Sequence, residues 1–571
     1  MLLTALVCVI AASQAAGAGG HHQHHSQGDK GPVTPLTHSA SGTFRGSWMT
    51  SRRGRRFQAY RGIRYAQAPV GELRFQPPVM MKTYSSEVDS TQDGPACPQP
   101  VFDENYPVDE DCLRLNVYTP DHKKKLPVLI FIHAGGFYSI SGRSDLAGPQ
   151  HLLDRDIVLV TINYRIASLG FMSTGDKYAP GNLGFKDQVV ALKWVQKNIA
   201  AFGGDPNLVT ISGYSAGSFS VMLHMVSPMS KGLFHRAISM SGSPIAQIVI
   251  PRHQRHLAER QARLLNCPTD SSKAIVDCLK TKTSKEIGRS LDQMFEFGYD
   301  PVLLWIPIQE EDYGQERFLV NQPSESLCNG DLQPVPYIVS QTQDEFFWKA
   351  FNVLNNETLY PQMRDEWHRV APIAFYLTGD TDRQSDRLKE AYLGYKGPLK
   401  NDSATADGLG KLYSDAIIGF GVHRNAKLMA LHNPKPTYKY EFAYIGSSSH
   451  YRDPTTDKPT GAAHHDDLIY LFNVSASFPS IPVSDSLDSK MVDKMTAIFY
   501  NFMRHGDPNP RGDTPELGRL RWPAMTPDQN EYLRIDKEFS VRQKLFEDRY
   551  KVWEELYPIN YETCRSTKKD C

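Results

Sequence analysis

"LVTISGYSAGSFSVMLHMV", residues 208–226, is the stretch that decides the fold. Its opening, LVTIS, is rich in apolar and β-branched residues and reads as a buried strand. Its end, SFSVMLHMV, has helical character. Between them Gly213-Tyr214-Ser215-Ala216-Gly217 fits the spacing Gly-x-Ser-x-Gly. The pentad alone carries little, because a turn of small residues is an equally good reading. Strand, sharp turn and helix in succession give it meaning. Such a turn leaves no room for side chains beside the serine, so glycines flank it. It lifts the Ser215 hydroxyl clear of the sheet. It also aims the Ala216 amide, at a helix N-terminus, toward developing negative charge.

A serine hydroxyl is a poor nucleophile without a base, and the base needs a carboxylate to orient it. For a strand–elbow–helix hydrolase the expected chain order is Ser, acid, His. Glu345, in SQTQDEFFWKAF, follows the strand-like run PYIVSQ at 336–341. His464, in GAAHHDDLIYLF, follows Gly461 and two alanines, as suits a loop that approaches a site closely. In FIHAGGF, Gly135 and Gly136 follow a buried run directly. Consecutive glycines there let amides turn inward as an oxyanion hole, with Ala216 as a further donor. Ser241, in SMSGSP, is a candidate hydrogen-bonding group behind the nucleophile; a strand-end turn serine is the plainer reading. His465, Asp344, Asp466 and Asp467 are neighbours that could be mistaken for members of the triad. The HHDD cluster also admits a metal-binding reading.

Further continuous apolar runs are VLIFIH (128–133), DIVLVTINY (156–164) and AISMSG (237–242). These read as strands buried on both faces. Between the strands, FKDQVVALKWVQKNIAAFGG repeats apolar residues at helical spacing and stops at Gly203-Gly204. The alternation predicts an α/β fold: a large, mostly parallel twisted sheet with helices on both faces. Residues 265–435 read as a mostly helical insertion. No internal repeat or linker interrupts the chain after Val33.

Among 571 residues, 63 basic and 63 acidic side chains balance, which leaves no electrostatic footprint for nucleic acid. An apolar run from Leu2 to Ala12 leads into small residues, as in a secretory signal, although no Lys or Arg precedes it. The run is too short to span a bilayer, and no later one is long enough. The expected division is 1–18 signal peptide, 19–32 disordered Gly/His-rich segment, 33–560 catalytic domain and 561–571 polar tail. HHQHHSQ at 21–27 could bind metal but reads more simply as part of the disordered segment. A secreted chain is expected to carry disulfides. Cys97 with Cys112 and Cys267 with Cys278 are close in sequence and would each close a short loop. The other three, Cys328, Cys564 and Cys571, are odd in number. Cys564 and Cys571 are therefore available for pairing between chains, or lie in a frayed tail with no such role. Asn356, Asn401 and Asn473 sit in N-glycosylation sequons.

The sequence resembles the type-B carboxylesterase and cholinesterase family of α/β-hydrolases over nearly its whole length past the leader. YRGIRYAQAPVGELRFQPP, EDCLRLNVYTP, TINYRIASLGF, GNLGFKDQVVALKWVQKNIAAFGGDP, GYSAGS, SPMSKGLFHRAISMSGSP, HHDDLIYLF and FYNFMRHGDPNP follow in family order. The resemblance implies Ser215 as nucleophile, Glu345 as acid, His464 as base, and Gly135, Gly136 and Ala216 as oxyanion donors. It implies no metal and no cofactor. Members that bind acetylcholine carry Glu before the nucleophile and a tryptophan in the first disulfide loop. Here the first is Tyr214 and the loop CPQPVFDENYPVDEDC has no Trp, which argues against choline esters. The likeness points instead to secreted arthropod esterases, such as venom carboxylesterases and juvenile hormone esterases. The latter usually carry Gln where Tyr214 stands. The expectation is a secreted serine esterase acting on small-molecule esters, with no membrane or nucleic-acid partner. The alternative is an inactive adhesion or ligand-binding member of the same fold.

Overall fold

The computed structural model describes residues 34–100, 105–453 and 456–564. In it the apolar runs become neighbours in one eleven-stranded sheet. In chain order its strands are β1 (Ser47–Thr50), β2 (Arg56–Arg64), β3 (Arg114–Thr119), β4 (Leu126–Ile132), β5 (Val158–Ile162) and β6 (Gly204–Tyr214). Then come β7 (Arg236–Met240), β8 (Tyr337–Thr342), β9 (Thr437–Phe442), β10 (Glu531–Ile535) and β11 (Ser540–Gln543). Across the sheet the order is β11-β10-β9-β8-β7-β6-β4-β5-β3-β2-β1. From β5 through to β10 the neighbours are parallel. The outer strands at both edges are antiparallel.

Every side chain of β4 and β5 is buried, as continuous apolar strands in a parallel sheet must be. Two apolar cores cover the two faces. One holds the helices Leu183–Asn198 and Ala216–Val226. The other holds the helix Leu487–His505, which Ser486 caps by accepting from the Ser489 amide. These features make the molecule an α/β-hydrolase in architecture.

The stretch 265–435 is mostly helical as expected, and the strand-like run within it is β8, which lies inside the parallel part of the sheet. Cys97–Cys112 and Cys267–Cys278 are bonded as expected. Neither reading offered for Cys564, pairing between chains or a frayed tail, holds: it bonds Cys328 of the same chain. The backbone at Tyr561 is held as well, since its carbonyl accepts from His432 Nε2 at 2.7 Å. Residues 561–564 are thus fastened to the body. Cys571, the apolar leader and the His-rich stretch lie outside the described residues. Among those described, no helix is long and apolar enough to cross a membrane.

Candidate active site

The loops that follow β4, β6, β8 and β9 carry the predicted site residues, at the carboxyl ends of parallel strands where open α/β sheets bind ligands. Strand β6 ends at Tyr214 and a helix starts at Ala216. Ser215 between them has φ 54° and ψ −115°, a strained conformation for a residue with a side chain. Its amide donates to Met240 O on β7 at 2.8 Å. The flanking glycines are sterically required. A Cβ on Gly213 would lie 2.2 Å from Gly217 O, and one on Gly217 would lie 2.0 Å from Ile132 O. The second contact presses the start of the helix against the end of β4.

Gly135 and Gly136 follow that end, with φ of 108° and 57°. The Gly135 carbonyl is engaged, accepting from Tyr138 and Ser139 amides. Among the described residues, neither glycine amide donates a hydrogen bond. Ala216 is the first residue of its helix, so its amide is one of the four a helix cannot pair internally. Three donors therefore remain for a ligand. His133, just before them, is pushed down to about 4 by burial and stacks on Tyr164 with ring centres 4.4 Å apart. It is a neutral packing residue.

Glu345 and His464 find each other. Glu345 Oε2 accepts from His464 Nδ1 at 2.5 Å, and the His464 amide donates to Glu345 O at 3.0 Å. Glu345 Oε1 is held in turn by the Thr342 amide at 2.7 Å. Both side chains are almost fully buried. A carboxylate only accepts, so Nδ1 donates and Nε2 of the neutral ring keeps its lone pair. That Nε2 is buried and has no hydrogen-bond partner among the described residues.

The other acidic neighbours are engaged elsewhere. Asp344 accepts from Ala462 N and Gln343 Nε2, and burial raises it to about 6. Asp466 accepts from Ser449 Oγ, His450 N and Ala463 N, which braces the base loop. Asp467 accepts from Tyr440 OH at 3.1 Å. His465 has φ 80°, and burial holds its ring well below the usual imidazole range. The HHDD residues thus turn to separate partners rather than converge on one point.

Ser241 is brought beside Tyr214, but its buried Oγ makes no hydrogen bond among the described residues. No hydrogen bond joins the Ser215 hydroxyl to His464 either. Such contacts are often long before a substrate binds. The link from elbow to base loop is Tyr214, whose hydroxyl accepts from the His465 amide at 2.9 Å. Its ring centre lies 5.1 Å from that of His464. Phe346, next to Glu345, packs on the same imidazole with ring centres 4.5 Å apart. Trp348 stacks on Tyr451 at 4.1 Å. These aromatic contacts were not among the sequence-based expectations; the run FFW directly after the candidate acid was the available signal.

Elbow, acid loop, base loop and paired glycines on this sheet define a hydrolase of the α/β class. Comparison with known proteins narrows it. The chain belongs to the Carboxylesterase family, whose profile matches residues 33–553, and it is a carboxylic ester hydrolase. It is 35% identical to a juvenile hormone esterase of Tribolium castaneum over 526 residues, covering 88% of each chain. It is 33% identical to venom carboxylesterase-6 of Apis mellifera, covering 87% of this chain and 89% of that one. The crystal structure of juvenile hormone esterase from Manduca sexta, with OTFP covalently attached, superposes with a TM-score of 0.80 at 26% identity. That match covers 92% of this chain and 99% of the other.

Proposed function

We propose that this carboxylesterase is a secreted serine esterase that works through an acyl-enzyme. The observation that carries the reading is the Glu345–His464 pair, with Nε2 left free beside the Ser215 elbow. In the first step Ser215 Oγ attacks the ester carbonyl carbon while Nε2 takes the hydroxyl proton. The carbonyl oxygen becomes an oxyanion before the amides of Gly135, Gly136 and Ala216. One such donor is typically worth about 3 kcal/mol in the transition state. The C–O bond to the alcohol then breaks, and Nε2–H protonates the leaving oxygen. Water, deprotonated by Nε2, attacks the acyl carbon; the bond to Ser215 Oγ then breaks, Nε2–H returns its proton to Oγ, and the acid is released. Glu345 holds the imidazole in orientation and stabilises its cationic form throughout. The covalently held OTFP in the Manduca sexta relative supports covalent chemistry on this fold.

Residues 33–560 act as one catalytic domain in this reading, exported by 1–18. Three disulfides within one chain suit an oxidising compartment. Asn401 is exposed and Asn356 is half-buried, so both suit glycan attachment. Asn473 is buried at 8% exposure, which makes it the poorest site of the three for a glycan. The test is Ser215→Ala. Hydrolysis of a simple aryl ester and covalent labelling by a fluorophosphonate should both disappear while the protein stays folded. Hydrolysis at the parent rate would overturn the assignment.

A further inference from the structure

Lys349 and Asp300 form a buried ion pair, with Nζ 2.8 Å from Oδ1 and side-chain exposures of 7% and 2%. Tyr413 OH donates to the other carboxylate oxygen at 3.2 Å. The ammonium also lies 5.2 Å from the Tyr413 ring centre and 5.8 Å from that of Trp348. Burying two charges costs several kcal/mol per ion in real proteins, and well-packed apolar residues often serve stability as well or better. The pair's position suggests why charges are kept.

Each partner sits on a segment that leads straight to the candidate site. Lys349 is four residues after Glu345, on the same short stretch as Phe346, whose ring packs on His464 at 4.5 Å. Asp300 is fixed by its own backbone, which exchanges hydrogen bonds with Phe297 and accepts from Glu296. Two residues on, Val302 O backs the oxyanion glycine: a Cβ on Gly136 would come within 3.0 Å of it. Tyr138, against which the same Cβ would clash, lies in the field of Asp300. One side of the ion pair is thus tied to the acid and base, and the other to the oxyanion loop.

We propose that Asp300–Lys349 is a positioning pair for ester hydrolysis, setting the Glu345 loop against the loop that backs Gly136. The proposal rests on the serine-esterase reading above. Neither residue touches substrate; they act through Glu345 and Gly136. A charge pair has a fixed length and direction, whereas an apolar contact can slide. Displacement of a reacting group by about 1 Å can cost on the order of 100-fold in rate.

The experiment uses the full chain with three readouts: the fraction labelled by a fluorophosphonate, kcat and KM for an aryl ester, and the thermal midpoint. The apolar double variant Asp300→Leu with Lys349→Met should melt at or above the parent. It should label fully, keep KM within about 3-fold and lose roughly 10- to 100-fold in kcat. A folded double variant with parental kcat would overturn the proposal. So would a kcat loss that only tracks a lower midpoint and recovers on cooling, since that is a purely structural role. If the double variant does not fold, Asp300→Asn keeps the shape and removes the charge. It should show the same kcat loss at constant KM, and parental kcat there overturns the proposal equally. A parent that takes no label would instead overturn the serine-esterase reading, and this proposal with it.

Discussion

The Tyr214 hydroxyl accepts a hydrogen bond from the His465 amide at 2.9 Å, across 251 residues of sequence. The residue before the candidate nucleophile thereby holds the residue after the candidate base. Tyr214→Phe keeps the ring against His464 and removes this bond together with the phenol's interaction with Asp467. A buried hydrogen bond contributes about 1 kcal/mol, so the thermal midpoint should fall slightly. If the bond also fixes the imidazole, kcat should drop up to about tenfold with little change in KM. Steady-state kinetics and a melting curve on the same preparation check both.

Glu345 and Asp344 are adjacent carboxylates with different partners. Glu345 reaches His464, while Asp344 fastens the backbone at Ala462. Glu345→Gln keeps the shape but removes the charge facing Nδ1. In triads of this kind the corresponding loss is about 10,000-fold in kcat. Asp344→Asn should cost only a few-fold, through a looser base loop. An aryl-ester assay of the two variants side by side would show the assignment reversed if the order of losses were reversed.

The Cys328–Cys564 bond closes a loop with a sequence separation of 236 residues. On the chain-entropy account a loop of this size is worth roughly 5 kcal/mol. Replacing both cysteines by alanine should lower the denaturant midpoint markedly while kcat on a small ester stays close to parental below the transition. Cys564 is satisfied within its own chain, so any disulfide-linked dimer on a non-reducing gel should vanish in Cys571→Ser.

The elbow and the loops of the candidate acid and base were legible in sequence because each combines a strand-like run with residues that only a close turn needs. The parallel strands β4 to β8 were legible for the same reason, being continuous apolar runs. Strand β9, TYKYEF, was not. It carries Lys439 and Glu441, both buried, which breaks the apolar pattern. Glu441 is tolerated there because Arg534 of β10 meets it at 2.7 Å, a partner 93 residues away. The third disulfide was hidden for a like reason, since its partners meet only through the completed fold. The choice of His464 over His465 followed from family likeness. In the structure the His464 imidazole faces Glu345, while the His465 amide faces Tyr214.

Asp467 offers a test of how the charges under the base loop are arranged. Its carboxyl is raised to about 7 from an ordinary 3.8, first by burial and then by the charge of Glu345. The phenols of Tyr214 and Tyr440 work the other way, and Asp466 adds a smaller upward push. A carboxyl raised on folding binds its proton more tightly in the native state. Its contribution to stability is therefore fully present below about pH 4 and is lost as pH rises toward about 7. Between about pH 5 and about pH 8 the loss amounts to roughly 2–3 kcal/mol. Asp467→Asn cannot titrate, so its unfolding free energy should fall less than that of the parent over this interval. Asp344, also raised, titrates in both proteins and cancels in the comparison. Lys439, lowered to about 8 by burial, adds stability only as pH climbs past that value, and it too is common to both. The quantity to measure is the difference between the two denaturation curves at each pH. A difference that does not change with pH would mean that Asp467 keeps the same charge folded and unfolded, and that Glu345 does not act on it.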